Sequence, residues 1–119
     1  MTDIVDDKFT IDLARDFSPT PLGRTRRQGR FSGEAFREDI LRPSLSKHHA
    51  VIVDLDGASG LSTGFLDEAF AGLVRDRTLN ALEFWQRVSI ICRRDRFIID
   101  EVRRFVDRAE ALSGVSAKN

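Results

Sequence analysis

The sequence predicts a single α/β domain with a mostly parallel central sheet flanked by helices. Its 119 residues suffice for about one domain. A continuous apolar, β-branched run at residues 50–55 is typical of a strand inside a parallel sheet. Apolar residues at helical spacing lie on both sides of this run. We therefore expect one domain over residues 1–119, with a core of about 8–112 and a short flexible C-terminal tail.

The first element is predicted to be a strand at residues 8–14. Phe9, Ile11 and Leu13 alternate with polar or small residues, which places the three large side chains on one face. Prolines interrupt regular structure after this strand. A long arginine-rich loop, residues 17–31, is expected to follow.

The next two elements are a helix and the central strand. Ser32 is a suitable N-cap for a helix at about 33–42, and Pro43 is expected to end that helix. After a connector, the run at residues 50–55 is predicted to be the central strand, buried on both faces.

An amphipathic helix is predicted at about 63–76, with Ser62 or Thr63 as its N-cap. Residues 78–87 suit a helix only in part and are left unassigned, whereas residues 88–92 are predicted to be a strand.

A long C-terminal helix is predicted at about 96–112, because its apolar residues recur every three to four positions. Gly114 is expected to end it.

Charge is distributed unevenly along a chain whose formal net charge is zero. Residues 1–16 carry a net charge of −3, residues 17–47 of +4, residues 48–74 of −4 and residues 75–119 of +3. Sixteen of the nineteen basic residues are arginine, whose planar fork of donors suits carboxylates and phosphates. A solvated surface is the simpler interpretation of these charges. The zero net charge disfavours nucleic-acid binding.

Several classes of protein and site are disfavoured by what the sequence lacks. It contains no long apolar run and begins with acidic residues, so we expect a cytoplasmic protein without a membrane span or secretory signal. A single cysteine, Cys92, excludes an internal disulfide and a multi-cysteine zinc site. His48 and His49 are adjacent in a connector, where a structural or solvated role is expected. We predict no metal site, no cofactor and no catalytic residue.

The loop after the central strand is the first candidate site, because parallel sheets place ligand or partner sites at the carboxyl ends of strands. Asp54 and Asp56 there match, superficially, the nucleophile motif of haloacid-dehalogenase-like phosphotransferases. A magnesium-dependent phosphatase would also need a positioned lysine and a further acidic pair. Since neither is predicted at this edge, Asp54 and Asp56 are expected to organise the loop by accepting backbone hydrogen bonds.

The arginine-rich loop and the helix start after it form a second candidate site, for an anion. Its predicted members are Arg24, Arg26, Arg27, Arg30, Ser32 and Gly33. The segment lacks the Gly-Lys-Ser/Thr of a nucleotide P-loop. A small-molecule or nucleotide sensor that uses this loop is the alternative function.

The run from Asp54 to Leu66, DLDGASGLSTGFL, resembles the strand, loop and helix of STAS domains, the anti-sigma-factor antagonist fold. Thr63 falls on the position that is phosphorylated in that fold. The chain resembles a bacterial STAS-like family of unknown function more closely than it resembles typical STAS domains. That pattern is found here as Gly23-Arg24, as SGEAFR at Ser32–Arg37 and as STGFLDEAFAGL at Ser62–Leu73.

This resemblance implies a non-enzymatic regulatory module that binds protein partners, typically a histidine-kinase-like ATPase able to phosphorylate it. It implies a switch at Thr63 or Ser62. A typical STAS site reads Asp-Ser before the helix, whereas this chain has Ser-Thr. The simpler alternative is that both hydroxyls act only as helix caps. Whether the chain forms a homodimer is left open. The implied partner-binding or ligand-binding residues are Asp54, Asp56, Gly57, Ser59, Gly60, Asp67 and Glu68.

Overall fold

The computed structural model describes residues 7–117, and their side chains as far as Ser113. Three parallel strands form one sheet: β1 (Lys8–Asp12), β2 (Ala50–Asp54) and β3 (Val88–Ile91). Their order is β1-β2-β3, so β2 is central, as the sequence predicts.

Two crossover connections and a terminal helix accompany the sheet. The first crossover holds the helical turn α1 (Leu13–Asp16), then α2 (Gly33–Phe36), a π-helical segment (Arg37–Leu41) and α3 (Arg42–Lys47). The second holds α4 (Thr63–Leu66), a π-helical segment (Asp67–Ala71), α5 (Gly72–Arg75) and α6 (Ala81–Arg87). The chain continues as α7 (Phe97–Ala117). The segments from α2 to α3 form one continuous first crossover helix, and those from α4 to α5 one continuous second crossover helix.

The sheet is covered well on one face and poorly on the other. Val51 and Val53 of the central strand are buried, whereas Ile52 between them is half-buried. Its register neighbours on the other face, Thr10 and Ser89, are exposed. Right-handed crossovers between strands laid down in the order 1-2-3 fall on the same side of a sheet. The expectation that the central strand is buried on both faces is therefore met on one face only.

The first strand is shorter than predicted. It ends at Asp12, whose carboxylate accepts a hydrogen bond from the Arg15 amide (3.2 Å) and so caps α1. Leu13 belongs to that helical turn and is buried. Phe9 is 39% exposed and stacks on the ring of His48, with 4.6 Å between centroids.

Pro43 does not end the first crossover helix, which runs on to Lys47. The Arg42 amide donates to the Arg37 carbonyl, five residues back, so the turn before the proline is widened. Pro43 follows this widened turn as the second residue of α3.

The segment that the sequence left unassigned contains a helix, and the last helix is longer than predicted. Residues 81–87 form α6, which begins with a reciprocal capping box between Asn80 and Glu83. The last helix continues through Gly114 to Ala117, because a glycine costs an interior helical position only about 1 kcal/mol. Residues 118 and 119 of the expected tail lie outside the described residues.

A single hydrophobic core joins the two crossover helices to the sheet and to α7. Four phenylalanine rings with no solvent exposure form its centre: Phe36, Phe65, Phe70 and Phe84. Phe36 contacts both Phe65 and Phe70, and Phe70 contacts Phe84, at tilted or edge-on angles with 6.1–6.3 Å between centroids. No helix within residues 7–117 is both long and apolar enough to cross a membrane.

Candidate functional site

The two hydroxyls at the start of the second crossover helix have different roles. Ser62 is the N-cap, and its hydroxyl accepts a hydrogen bond from the Phe65 amide at 3.1 Å. Thr63 is the first helical residue and is exposed. Among the described residues its hydroxyl has no hydrogen-bond partner. Thr63 is thus the hydroxyl available to another molecule, and Ser62 is the structural one.

We expect Ser62→Ala to lower the free energy of unfolding by about 1 kcal/mol, because the Phe65 amide loses its acceptor. Thr63→Ala is the matched control and should change this free energy by less than about 0.5 kcal/mol. Urea unfolding followed by circular dichroism measures both variants. Equal losses in the two variants would contradict the division of roles.

Asp54 and Asp56 organise the loop that leads to this helix. The Asp54 carboxylate accepts the Asp56 amide at 2.9 Å. Asp56 accepts the amides of Arg93 (2.7 Å) and Arg94 (3.3 Å), and the Arg93 guanidinium at 2.9 Å. Burial raises the pKa of Asp56, but the hydrogen bonds from Arg94 and Arg93 together lower it further, so its pKa lies below the ordinary value. Asp56 thereby joins the loop after β2 to the loop after β3.

The rest of the loop presents small residues to solvent. Gly57 packs against Ala14, whose methyl group would lie 3.0 Å from a Cβ at position 57. The Ser59 amide donates to the Pro19 carbonyl at 2.8 Å, which attaches the loop to the arginine-rich segment. Gly60 has a φ of +68° and open space around it. Ser59 and Gly60 are exposed and lie three to four residues before Thr63.

The structure places Asp67 on the second crossover helix, in an ion-pair cluster. Its carboxylate accepts hydrogen bonds from Arg24 Nη1 and Arg75 Nη1, each at 2.8 Å. Burial raises the pKa of Asp67, but the two arginines together lower it further, and the net pKa lies below the usual range. This carboxylate holds the arginine-rich loop against the helix.

Glu68 pairs with Arg37 of the first crossover helix. Arg37 Nη1 donates to the Glu68 carbonyl at 2.6 Å and to its carboxylate at 3.0 Å, and Nε donates to Glu38 at 2.8 Å. In an α-helix the Gly72 amide would reach the Glu68 carbonyl, but in the π-helical segment it donates to Asp67. Arg37 supplies a donor to that carbonyl.

Arg37 is not among the predicted site residues, although a signal for its role is present in the sequence. Arg37 lies four residues before Leu41 and directly after Phe36, so it falls beside the apolar stripe of its helix. Its side chain is only 11% exposed. A charged residue at such a position needs a partner inside the fold.

At the start of the first crossover helix, which belongs to the predicted anion site, the backbone amides are already paired within the chain. The Ser32 hydroxyl is buried and accepts the Ala35 amide at 3.2 Å. The amides of Gly33 and Glu34 donate to loop carbonyls, each at 2.9 Å. All of the first-turn amides have acceptors within the chain, so none remains for an anion.

The arginines assigned to that site have separate roles. Arg24 binds Asp67, and Arg26 forms a two-point ion pair with Asp39 at 2.9 and 3.0 Å. Arg30 lies over the Phe31 ring, 5.2 Å from its centroid. Arg27 is exposed and has no carboxylate partner in the described part of the chain.

The histidines and the cysteine take part in local structure. His48 Nδ1 lies 2.8 Å from the Asp7 carboxylate, at the amino end of the sheet. Cys92 is buried directly after β3, and burial raises the pKa of its thiol. Within residues 7–117 no three histidine, cysteine, aspartate or glutamate residues are grouped in a way that could hold a metal ion.

The central strand of the parallel sheet leads through a glycine-containing loop to an exposed threonine at a helix start, which is the arrangement that the resemblance to STAS domains implies. Residues 32–84 match the model of a family described as a STAS-like domain of unknown function. The matched part is a little under half of the chain and includes β2 and both crossover helices, so the predicted resemblance is confirmed there. No curated protein and no solved structure matches the sequence.

Proposed function

We propose that this chain is a non-enzymatic regulatory module that binds a protein partner through the surface around Thr63, and that phosphorylation of Thr63 switches this binding. The exposed Thr63 hydroxyl, which no other group of the described chain engages, is the observation that carries the proposal. The exposed loop residues Ser59 and Gly60 adjoin it and leave room for another macromolecule.

The switch is a phosphoryl transfer from ATP held by the partner. Thr63 Oγ1 attacks the γ-phosphorus and forms the new O–P bond, while the bond to the β–γ bridging oxygen breaks and ADP leaves. The hydroxyl proton passes to a base of the kinase. The product adds a charge of about −1.5 to −2 at neutral pH. The phosphate therefore adds negative charge at the exposed position 63 and changes the charge of the docking surface.

The proposed partner is a histidine-kinase-like ATPase, the class that the STAS resemblance implies. The hydrogen bonds of Asp54 and Asp56 favour this reading over a phosphatase, since both side chains organise the loop. Lys8 and Lys47, the two lysines of the described chain, lie at the other end of the sheet. A small-anion sensor is not favoured, because the first-turn amides that would hold the anion are occupied.

The proposal predicts that a histidine-kinase-like ATPase from the source organism, supplied with ATP and magnesium, phosphorylates Thr63 and leaves Ser62 unmodified. Tandem mass spectrometry locates the phosphate. Thr63→Asp should weaken binding to the same ATPase at least about tenfold, because the added charge changes the docking surface. Biolayer interferometry measures the affinity.

Thr10→Asp is the matched control, since Thr10 is another exposed threonine, in the edge strand β1 and not at the helix start, and the charge change is identical. Its affinity should equal that of the wild type. Phosphate on Ser62, no phosphorylation by any such ATPase, or equal effects of the two aspartates would contradict the proposal.

A further inference from the structure

We propose that Arg24 is the residue that pairs with a phosphate on Thr63, and that it gives up Asp67 to do so. This inference rests on the proposed function and states which residue of the chain binds the phosphate. It makes the arginine-rich loop the first element to respond to phosphorylation.

Arg24 crosses the first turn of the second crossover helix beside Thr63. Its Cγ and Nε lie 3.1 and 3.3 Å from the position of a Cβ on Gly64, the residue directly after Thr63. Its Nη1 lies 2.8 Å from the Asp67 carboxylate. Thr63 and Asp67 are four residues apart and therefore neighbours on one helix face. The guanidinium is thus about one helical turn from the Thr63 hydroxyl.

The ion pair can be exchanged without leaving a buried charge unpaired. Asp67 keeps Arg75 Nη1 at 2.8 Å when Arg24 leaves. The Arg24 side chain is 47% exposed, so it is free to rotate. A phosphate dianion offers three acceptor oxygens to the planar guanidinium, and such charge-assisted pairs are among the strongest hydrogen bonds in proteins.

Backbone hydrogen bonds hold Arg24 in place within the arginine-rich loop. Its amide donates to the Gln28 side chain at 2.6 Å, and its carbonyl accepts the Glu34 amide at 2.9 Å. The side chain therefore pivots from a fixed point. Its departure from Asp67 removes the ion pair that holds the loop against the second crossover helix.

The test uses the full chain with phosphothreonine installed at position 63 and follows the phosphate by ³¹P NMR during a pH titration. Phosphothreonine normally releases its second proton near pH 6. Pairing with Arg24 should lower this midpoint, so Arg24→Gln should raise it by about 0.5 to 1 pH unit. Arg24→Lys keeps the charge without the fork and should fall between the two.

Arg27→Gln is the matched control, because Arg27 is an exposed arginine of the same loop and loses the same charge. Its midpoint should rise by less than about 0.2 pH unit. The backbone amides at the helix start affect the phosphate equally in both variants, so their effect on the titration midpoint cancels in the comparison. Equal midpoints for Arg24→Gln, Arg24→Lys and Arg27→Gln would overturn the inference.

Asp67→Asn, made in the wild-type chain and in the Arg24→Gln variant, tests whether Arg24 exchanges Asp67 for the phosphate or only lies near the phosphate. If Asp67 competes for Arg24, Asp67→Asn should lower the midpoint more when Arg24 is present than in the Arg24→Gln background. Equal changes in both backgrounds would show that no exchange occurs. The titration needs no partner, so it can fail while the kinase and binding experiments on Thr63 succeed, and the reverse also holds.

Discussion

Gly33→Ala is expected to lower the free energy of unfolding by about 2–3 kcal/mol, although alanine is the better helix former. A Cβ at position 33 would lie 2.6 Å from the Phe65 carbonyl oxygen, 2.8 Å from the Glu68 Cβ and 2.9 Å from the Ala69 amide nitrogen. Two of these atoms belong to the backbone and cannot rotate away, so the two crossover helices must separate. Urea unfolding followed by circular dichroism measures the loss.

Gly29→Ala is the matched control, in the loop that precedes the same helix. The nearest atom to a Cβ there is the Leu22 carbonyl oxygen at 3.7 Å, which is ordinary contact. This variant should be neutral or more stable by up to about 1 kcal/mol. If Gly33→Ala matched it, the helices would not approach so closely, and the placement of Thr63 beside the arginine-rich loop would be wrong.

The parts of the fold that the sequence predicted depend on local signals. The β-branched run around Val51 and Val53 predicts a strand whatever surrounds it. Ser62 predicts a helix start because its hydroxyl bonds an amide only three residues away. Both features are present in the structure, and they place Thr63 at the carboxyl end of the central strand.

Features that depend on distant residues could not be predicted in this way. Arg24 and Asp67 are 43 residues apart and were predicted to belong to two different sites. In the sequence, an arginine that binds a carboxylate within the fold gives the same signal as an arginine that binds an anion from solution. Nothing local distinguishes them, so the pairing emerges only from the packing of the loop against the helix.

Strand order also depends on distant residues. The π-helical turn, in contrast, accommodates a proline whose local signal predicts the end of a helix. The incomplete burial of Ile52 follows from the order of all three strands, which no single segment specifies. Pro43 carries a strong local signal for the end of a helix. The widened turn at Arg37–Leu41 accommodates it, and that turn lies against the second crossover helix.

Arg37→Ala is expected to lower the free energy of unfolding by about 3 kcal/mol. The guanidinium binds the Glu68 carbonyl, the Glu68 carboxylate and Glu38, and all three acceptors would lose a charged donor. Arg37→Lys keeps one charge but cannot reach both glutamates with a planar fork, so it should lose about half as much. Arg27→Ala, which removes an exposed arginine without a carboxylate partner in the described chain, should change stability by less than about 0.5 kcal/mol.

Gly72 supplies an independent check on this contact, because a Cβ there would overlap the Arg37 guanidinium. Gly72→Ala should therefore be destabilising in the wild-type chain and close to neutral in the Arg37→Ala background, where the space is vacant. If the two substitutions only loosened helix packing in general, their losses of unfolding free energy would add. A smaller effect of Gly72→Ala in the Arg37→Ala background therefore indicates a specific contact. Additive losses, or wild-type stability of Arg37→Lys, would mean that the Arg37 fork does not hold the two π-helical segments together.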